Sequence, residues 1–165
     1  MNRAERRQQR KKNEEAAKLS HTVAVAMQHH NDGRLAHAKS MYQKILSRNP
    51  DQIDALHLLG VIAKQEDRPK EAVNLITRAL QLKPDFAEAH NNLGAALRDL
   101  GRKKEALTSY QKSVVLKPEY VDGHLNLGIA LQEHGELDAA ISSYRNALRL
   151  KPGFDLAYYN LGNAL

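Results

Sequence analysis

Columns of residues recur along this chain at a spacing of 34 positions, and nothing else in the sequence constrains the fold as strongly. Pro50, Pro84, Pro118 and Pro152 fall in step and account for four of the five prolines. Gly60, Gly94, Gly128 and Gly162 form a second column, and Ala38, Ala72, Ala106 and Ala140 a third. Leu59, Leu93, Leu127 and Leu161 make a fourth, and Tyr42, Ile76, Tyr110 and Tyr144 an apolar fifth. Leu97, Leu131 and Leu165 keep the same step, and Gln52, Phe86, Tyr120 and Phe154 follow the prolines by two. A period of this length marks stacked supersecondary units, none of which can bury its apolar face without its neighbours.

Each column has a reason in local chemistry, and together they describe a helical hairpin. Leu93 and Leu97 are one helical turn apart, and with Tyr110 they supply an apolar seam. Glycine inside a helix costs about 1 kcal/mol relative to alanine. The column glycines are therefore expected where two backbones approach closely, Gly94 on one helix against Ala106 on the next. Gly33, Gly101 and Gly135 stand where the first helix must turn into the second, a position that favours positive φ. Asp67 interrupts that column, and Pro69 behind it suits the first position of a helix. Each column proline ends a second helix, because it cannot continue the hydrogen-bond ladder.

The spacing predicts helix pairs over 19–31 and 35–48, 53–65 and 69–82, 87–99 and 103–116, and 121–133 and 137–150. A ninth helix is expected from about 155. The repeat units are then 19–52, 53–86, 87–120 and 121–154, with a partial unit at 155–165. Residues 1–18 read as a basic N-terminal extension, partly helical or disordered.

Composition fits an all-α domain of this kind, at 42% hydrophobic and 27% charged residues. With no Trp, two Phe and six Tyr, the core must rest mainly on Leu, Ala, Ile and Val. The absence of cysteine excludes disulfides, thiolate metal sites and cysteine nucleophiles. The formal charge of +6 is uneven: residues 1–18 hold seven Lys or Arg against three Asp or Glu, and the remainder 18 against 16. No apolar run is long enough to span a membrane or serve as a signal-peptide core, so a cytoplasmic location is expected.

The third unit reads His90-x-x-Leu93-Gly94-x-x-Leu97, then Ala106-x-x-x-Tyr110, then Pro118. This resembles the tetratricopeptide repeat (TPR) pattern, which implies a right-handed superhelical solenoid of antiparallel hairpins that binds a protein or peptide in its concave groove. The strings Ala89-His90-Asn91-Asn92-Leu93-Gly94 and Ala147-Leu148-Arg149-Leu150-Lys151-Pro152 resemble the repeat superhelix of O-linked N-acetylglucosamine transferases and their bacterial relatives. That resemblance implies a second reading, the substrate-recognition arm of a glycosyltransferase whose catalytic domain is not in this chain.

In the resembling transferases an asparagine ladder on the inner surface holds the main chain of an extended polypeptide. Asn92, Asn126 and Asn160 lie 34 apart, two residues before column glycines, on the face turned away from the hairpin seam. A side-chain amide carries both donors and an acceptor, which suits a peptide backbone whatever its sequence. Replacing all three by alanine is expected to weaken partner binding and spare stability. Asn91, Arg98, His57, Lys64 and Ile129 complete the candidate groove at helical spacing. The basic row of chaperone-binding relatives is missing, since Val23, Met27 and Val61 fill several of its positions.

Catalytic and metal chemistry find no support in the sequence. Adjacent His29 and His30 point to different sides of a helix, and His90 and His124 sit where bulky residues pack between hairpins. No nucleophile elbow, phosphate loop or paired carboxylates occur, so neither enzymatic activity nor a cofactor is expected. The basic tail has no interleaved aromatics for stacking on nucleic-acid bases and no apolar face for a membrane. The final helix, from Leu156 to Leu165, keeps Leu161, Gly162 and Leu165, which are shaped to receive a second helix. It is expected to belong to a longer repeat array, or to bury that end against another copy.

Overall fold

The computed structural model describes residues 2–165, and among these every regular element is an α-helix. Helix α1 spans Arg3–Asn31, α2 Leu35–Arg48, α3 Ile53–Gln65, α4 Pro69–Leu82 and α5 Ala87–Asp99. Then come α6 Lys103–Leu116, α7 Val121–Glu133, α8 Leu137–Leu150 and α9 Asp155–Ala164. The chain folds as the expected solenoid of hairpins, with α1 paired to α2, α3 to α4, α5 to α6 and α7 to α8. Each second helix also packs on the first helix of the following hairpin. First helices touch one another across repeats whereas second helices do not, so the stack curves with α1, α3, α5, α7 and α9 on its inner side.

The turns follow from backbone stereochemistry. Gly33, Gly101 and Gly135 take φ of +74°, +74° and +80°, and Asp67 takes the same left-handed region at +56°. All four turns are Schellman motifs. The amide of Arg34 reaches the carbonyl of His29 at 2.8 Å, Arg68 that of Ala63 at 2.9 Å, Arg102 that of Leu97 at 2.9 Å and Glu136 that of Leu131 at 3.0 Å. Pro69 opens α4 at its first turn, where no intrahelical partner for its nitrogen is needed.

The seam differs in one respect from the close helix approach expected from Gly94 and Ala106. What occupies the space over each column glycine is mainly the large residue of the fifth column. A Cβ added at Gly94 would lie 2.8 Å from the Tyr110 ring, at Gly128 2.4 Å from Tyr144, and at Gly60 2.6 Å from Ile76. Tyr42, Tyr110 and Tyr144 are fully buried. Burying an aromatic side chain of 150–250 Å² at about 25 cal/mol per Å² contributes on the order of 4–6 kcal/mol. The helical glycine costs about 1 kcal/mol, so the exchange favours the fold. At Gly162 nothing lies within 4 Å, because α9 has no second helix against it among the described residues.

Helix α1 is twice as long as the other first helices. The proline column, extended back one period from Pro50, falls on Ala16, so nothing breaks the helix there. Asn2 and Glu5 form a reciprocal capping box at its start, and Arg10 bonds Glu14 one turn on at 3.0 Å. The basic residues 3–18 thus ride on a continuous helix that reaches past the end of α2.

Candidate functional site: the inner face of the first helices

The inner face is built from one stripe of each first helix. Asparagine, a poor helix former, sits in the middle of α5 and α7, where its side chain must compensate. The Asn92 amide nitrogen lies 2.8 Å from Nε2 of His57 on α3. One repeat on, the Asn126 amide nitrogen donates to Oδ1 of Asn91 on α5 at 3.0 Å. These two bonds are the same contact in successive repeats, joining neighbouring first helices across the curve of the stack.

The acceptor side is buried and the donor side is not. His57 is 6% exposed and Asn91 5%, whereas Asn92 and Asn126 are half-buried. His57 and Asn91 therefore stand behind the inner surface and hold Asn92 and Asn126 in place, while Arg98, Lys64 and Ile129 remain half-buried on it. Burial pushes the His57 imidazole down to about 4, against the pull of Asp54 and Glu88, and with a smaller push from His30. A neutral ring can accept the Asn92 amide proton on Nε2. The ring also meets the Phe86 edge, with centroids 4.7 Å apart.

Asn160 departs from the expected ladder. Its amide donates to the Leu156 carbonyl of its own helix at 2.7 Å, since the residue before it in register on α7 is Leu125, which offers no acceptor. Around the amides the face carries mixed charge. Lys64 and Asp99 pair at 3.5 Å across α3 and α5, and Lys117 of α6's end bonds Glu88 at 2.6 Å. The pairing of the amides leaves no mark in the repeat columns, because contacting positions are 35 residues apart, one more than the period that aligns the columns.

His90 and His124 resolve as packing between hairpins. His90 donates its Nε2 proton to the Pro84 carbonyl at 2.9 Å and His124 does the same to Pro118 at 2.8 Å, so each satisfies the carbonyl at a hairpin junction. Among the described residues no group of three or more His, Asp or Glu is placed to hold a metal. No helix among them is long and apolar enough to cross a membrane.

Family models described as TPR repeat match residues 94–135 and 133–165, and one described as tetratricopeptide repeat matches 55–88. The chain belongs to the tetratricopeptide repeat family. No curated protein matches the sequence significantly. Among solved structures, a crystal structure of MamA is 28% identical with a TM-score of 0.75, over 85% of this chain and 82% of that one. YrrB, described as a TPR protein with an unusual peptide-binding site, is 25% identical with a TM-score of 0.72, over 87% and 74%. The O-GlcNAc transferase of Thermobaculum terrenum is 27% identical with a TM-score of 0.77, over 81% of this chain and 26% of that one. TPR family membership and these neighbours make this TPR chain a protein-interaction scaffold.

Proposed function

We propose that this TPR scaffold binds an extended segment of a partner protein along its inner face, with Asn92 and Asn126 contacting the segment's main chain. The observation that carries the reading is the pair of bonds to His57 and Asn91. Each bond uses one N–H of the amide, and the Oδ1 atoms of Asn92 and Asn126 accept no bond among the described residues. Held in this way, the two amides keep a donor and an acceptor for a peptide backbone at little further entropic cost. Lys64, Arg98 and Ile129 flank them and would read side chains of the bound segment.

The test is affinity capture with wild-type bait and with Asn92→Ala/Asn126→Ala bait, both shown folded by circular dichroism. Proteins recovered by the first and lost by the second support the groove; identical recovery by both would falsify it. The similarity to a glycosyltransferase's repeat region favours a second reading, in which the bound segment is presented to a catalytic domain. Sequencing the encoding reading frame beyond the Leu165 codon decides that reading.

A further inference from the structure

The overhang of α1 creates a feature that the interior hairpins lack. In those, the chain breaks at the column proline before the first helix begins. At the first hairpin α1 runs on through Ala16, and between it and the C-terminal half of α2 lies an open cleft of about 830 Å³. Its floor is apolar, formed by Ala16 and Leu19 of α1 and by Met41 and Ile45 of α2. Its rim is basic: Lys12 and Lys18 on α1, Lys44 and Arg48 on α2, with Glu15 as the single acidic group. None of these four cations makes an ion pair among the described residues.

The arrangement follows helical spacing on both walls. Lys12, Ala16 and Leu19 share one face of α1, and Met41, Lys44, Ile45 and Arg48 one face of α2. Residues 12–22 cover about 15 Å of helix at 1.5 Å per residue, room for about three turns of a helix laid alongside. A ligand for this cleft needs apolar side chains on one face and carboxylates on its edges.

We infer that the α1–α2 cleft is a second docking site, separate from the inner face, that takes an acidic amphipathic helix of a partner protein. Charge complementarity selects the acidic edge, since four unpaired cations surround an aliphatic floor. The floor selects protein over nucleic acid. Residues 2–41 contain no Phe, Tyr or Trp on which a base could stack, and Tyr42 is fully buried. Docking there is the helix-in-groove mode, read by apolar anchors at one-turn spacing.

The full chain tests this with a fluorescein-labelled synthetic peptide of about 14 residues, Leu at i, i+3, i+4 and i+7 and Glu elsewhere. Two comparison probes carry the decision: the same peptide with Leu replaced by Ser, and a single-stranded RNA oligonucleotide of equal charge. Saturable anisotropy is expected for the Leu–Glu peptide, falling with added salt, and about tenfold weaker for the Ser version. Lys44→Glu/Arg48→Glu, at exposed positions, should weaken it about tenfold with unchanged melting, and Asn92→Ala/Asn126→Ala should leave it unchanged. Methyl resonances of Met41 and Ile45 should shift on titration. No binding, equal binding of the Ser peptide, or tighter binding of the RNA each overturns the proposal.

Discussion

The second and third hairpins are nearly superimposable in element boundaries, yet they are written with different residues at the positions that matter most. Helices α3 and α5 have 13 residues each, and α4 and α6 have 14 each. Across the seam the second hairpin sets Ile76 where the third has Tyr110, and at the turn Asp67 where the third has Gly101. On the inner face it sets His57 where the third has Asn91, and Leu58 where the third has Asn92. The fold therefore tolerates a change of side chain wherever the replacement can reproduce a geometry: an apolar volume over the glycine, a positive φ, an acceptor for the next repeat's amide. It has kept the glycine of the seam in both. That glycine is where breaking the pattern should cost most.

Gly94→Leu places a side chain in the volume of the buried Tyr110 ring, which the α5–α6 contact gives no room to leave. The expected loss is about 3 kcal/mol in denaturant unfolding. Gly153→Leu is the matched control, since a Cβ there meets nothing within 4 Å, and it should lose less than about 1 kcal/mol. Equal losses at the two sites would mean that the seam is not where the columns place it.

The inner face offers the next largest effect and separates the two hairpins by pH. His57 is held to about 4 in the folded chain, whereas in the unfolded chain it titrates near 6.5. Between those values the unfolded state binds more protons, so stability is fully present above pH 6.5 and declines as pH falls toward 4. The decline approaches about 3 kcal/mol at its end. Histidines 30 and 90 are shifted the same way by burial, so the difference between variants is the quantity to measure. His57→Asn copies the third hairpin into the second. It should keep an acceptor for Asn92 while removing the His57 share of the pH dependence. Parallel stability profiles for the two proteins from pH 7 to 4.5 would contradict the burial of His57.

Most of this architecture was legible in the sequence because the 34-residue columns report positions that do one job in every repeat. The first helices from α3 onward, all the second helices and the left-handed turns at Gly33, Gly101 and Gly135 lie where the spacing puts them, whereas Asp67, read as a break in that column, takes the same left-handed turn. The start of α1 was not legible: the spacing puts it at 19, whereas the helix begins at Arg3, because Ala16 stands in the proline column and the columns do not announce a residue that fails to break a helix. The amide pairing was hidden for a geometric reason. Contacts between repeats join unlike positions, 57 with 92 and 91 with 126, and a comparison of like with like cannot reveal them. The consequence is measurable. Groove asparagines were expected to carry ligand contacts alone, but alanine at Asn126 leaves the buried Asn91 oxygen without its donor. A loss of about 1–2 kcal/mol is expected for Asn126→Ala, and much less for Asn160→Ala, whose amide bonds only its own helix. Equal, negligible losses at both would return the ladder to ligand binding only.

The smallest expected difference lies in the turns, and it runs in favour of the mutant. Asp67 holds φ at +56°, where an L-residue brings Cβ against the following carbonyl at a cost of roughly 1–2 kcal/mol. Part of that cost is offset because aspartate restricts the unfolded chain more than glycine does. Its carboxylate also sits at the C-terminal end of α3, where the helix dipole disfavours negative charge. Asp67→Gly should therefore stabilise the chain by about 1 kcal/mol, the second hairpin acquiring the turn of the third. The reciprocal change, Gly101→Asp, meets no atom within 4 Å at Cβ, so its penalty is conformational and electrostatic rather than steric. It should lose about the same amount. The two swaps together separate backbone from packing. If the turn's φ governs, the gain at 67 and the loss at 101 mirror each other, and the double variant unfolds close to wild type. A loss at both positions would show that the Asp67 side chain contributes a contact that outweighs its strained backbone, and that the two turns are not equivalent.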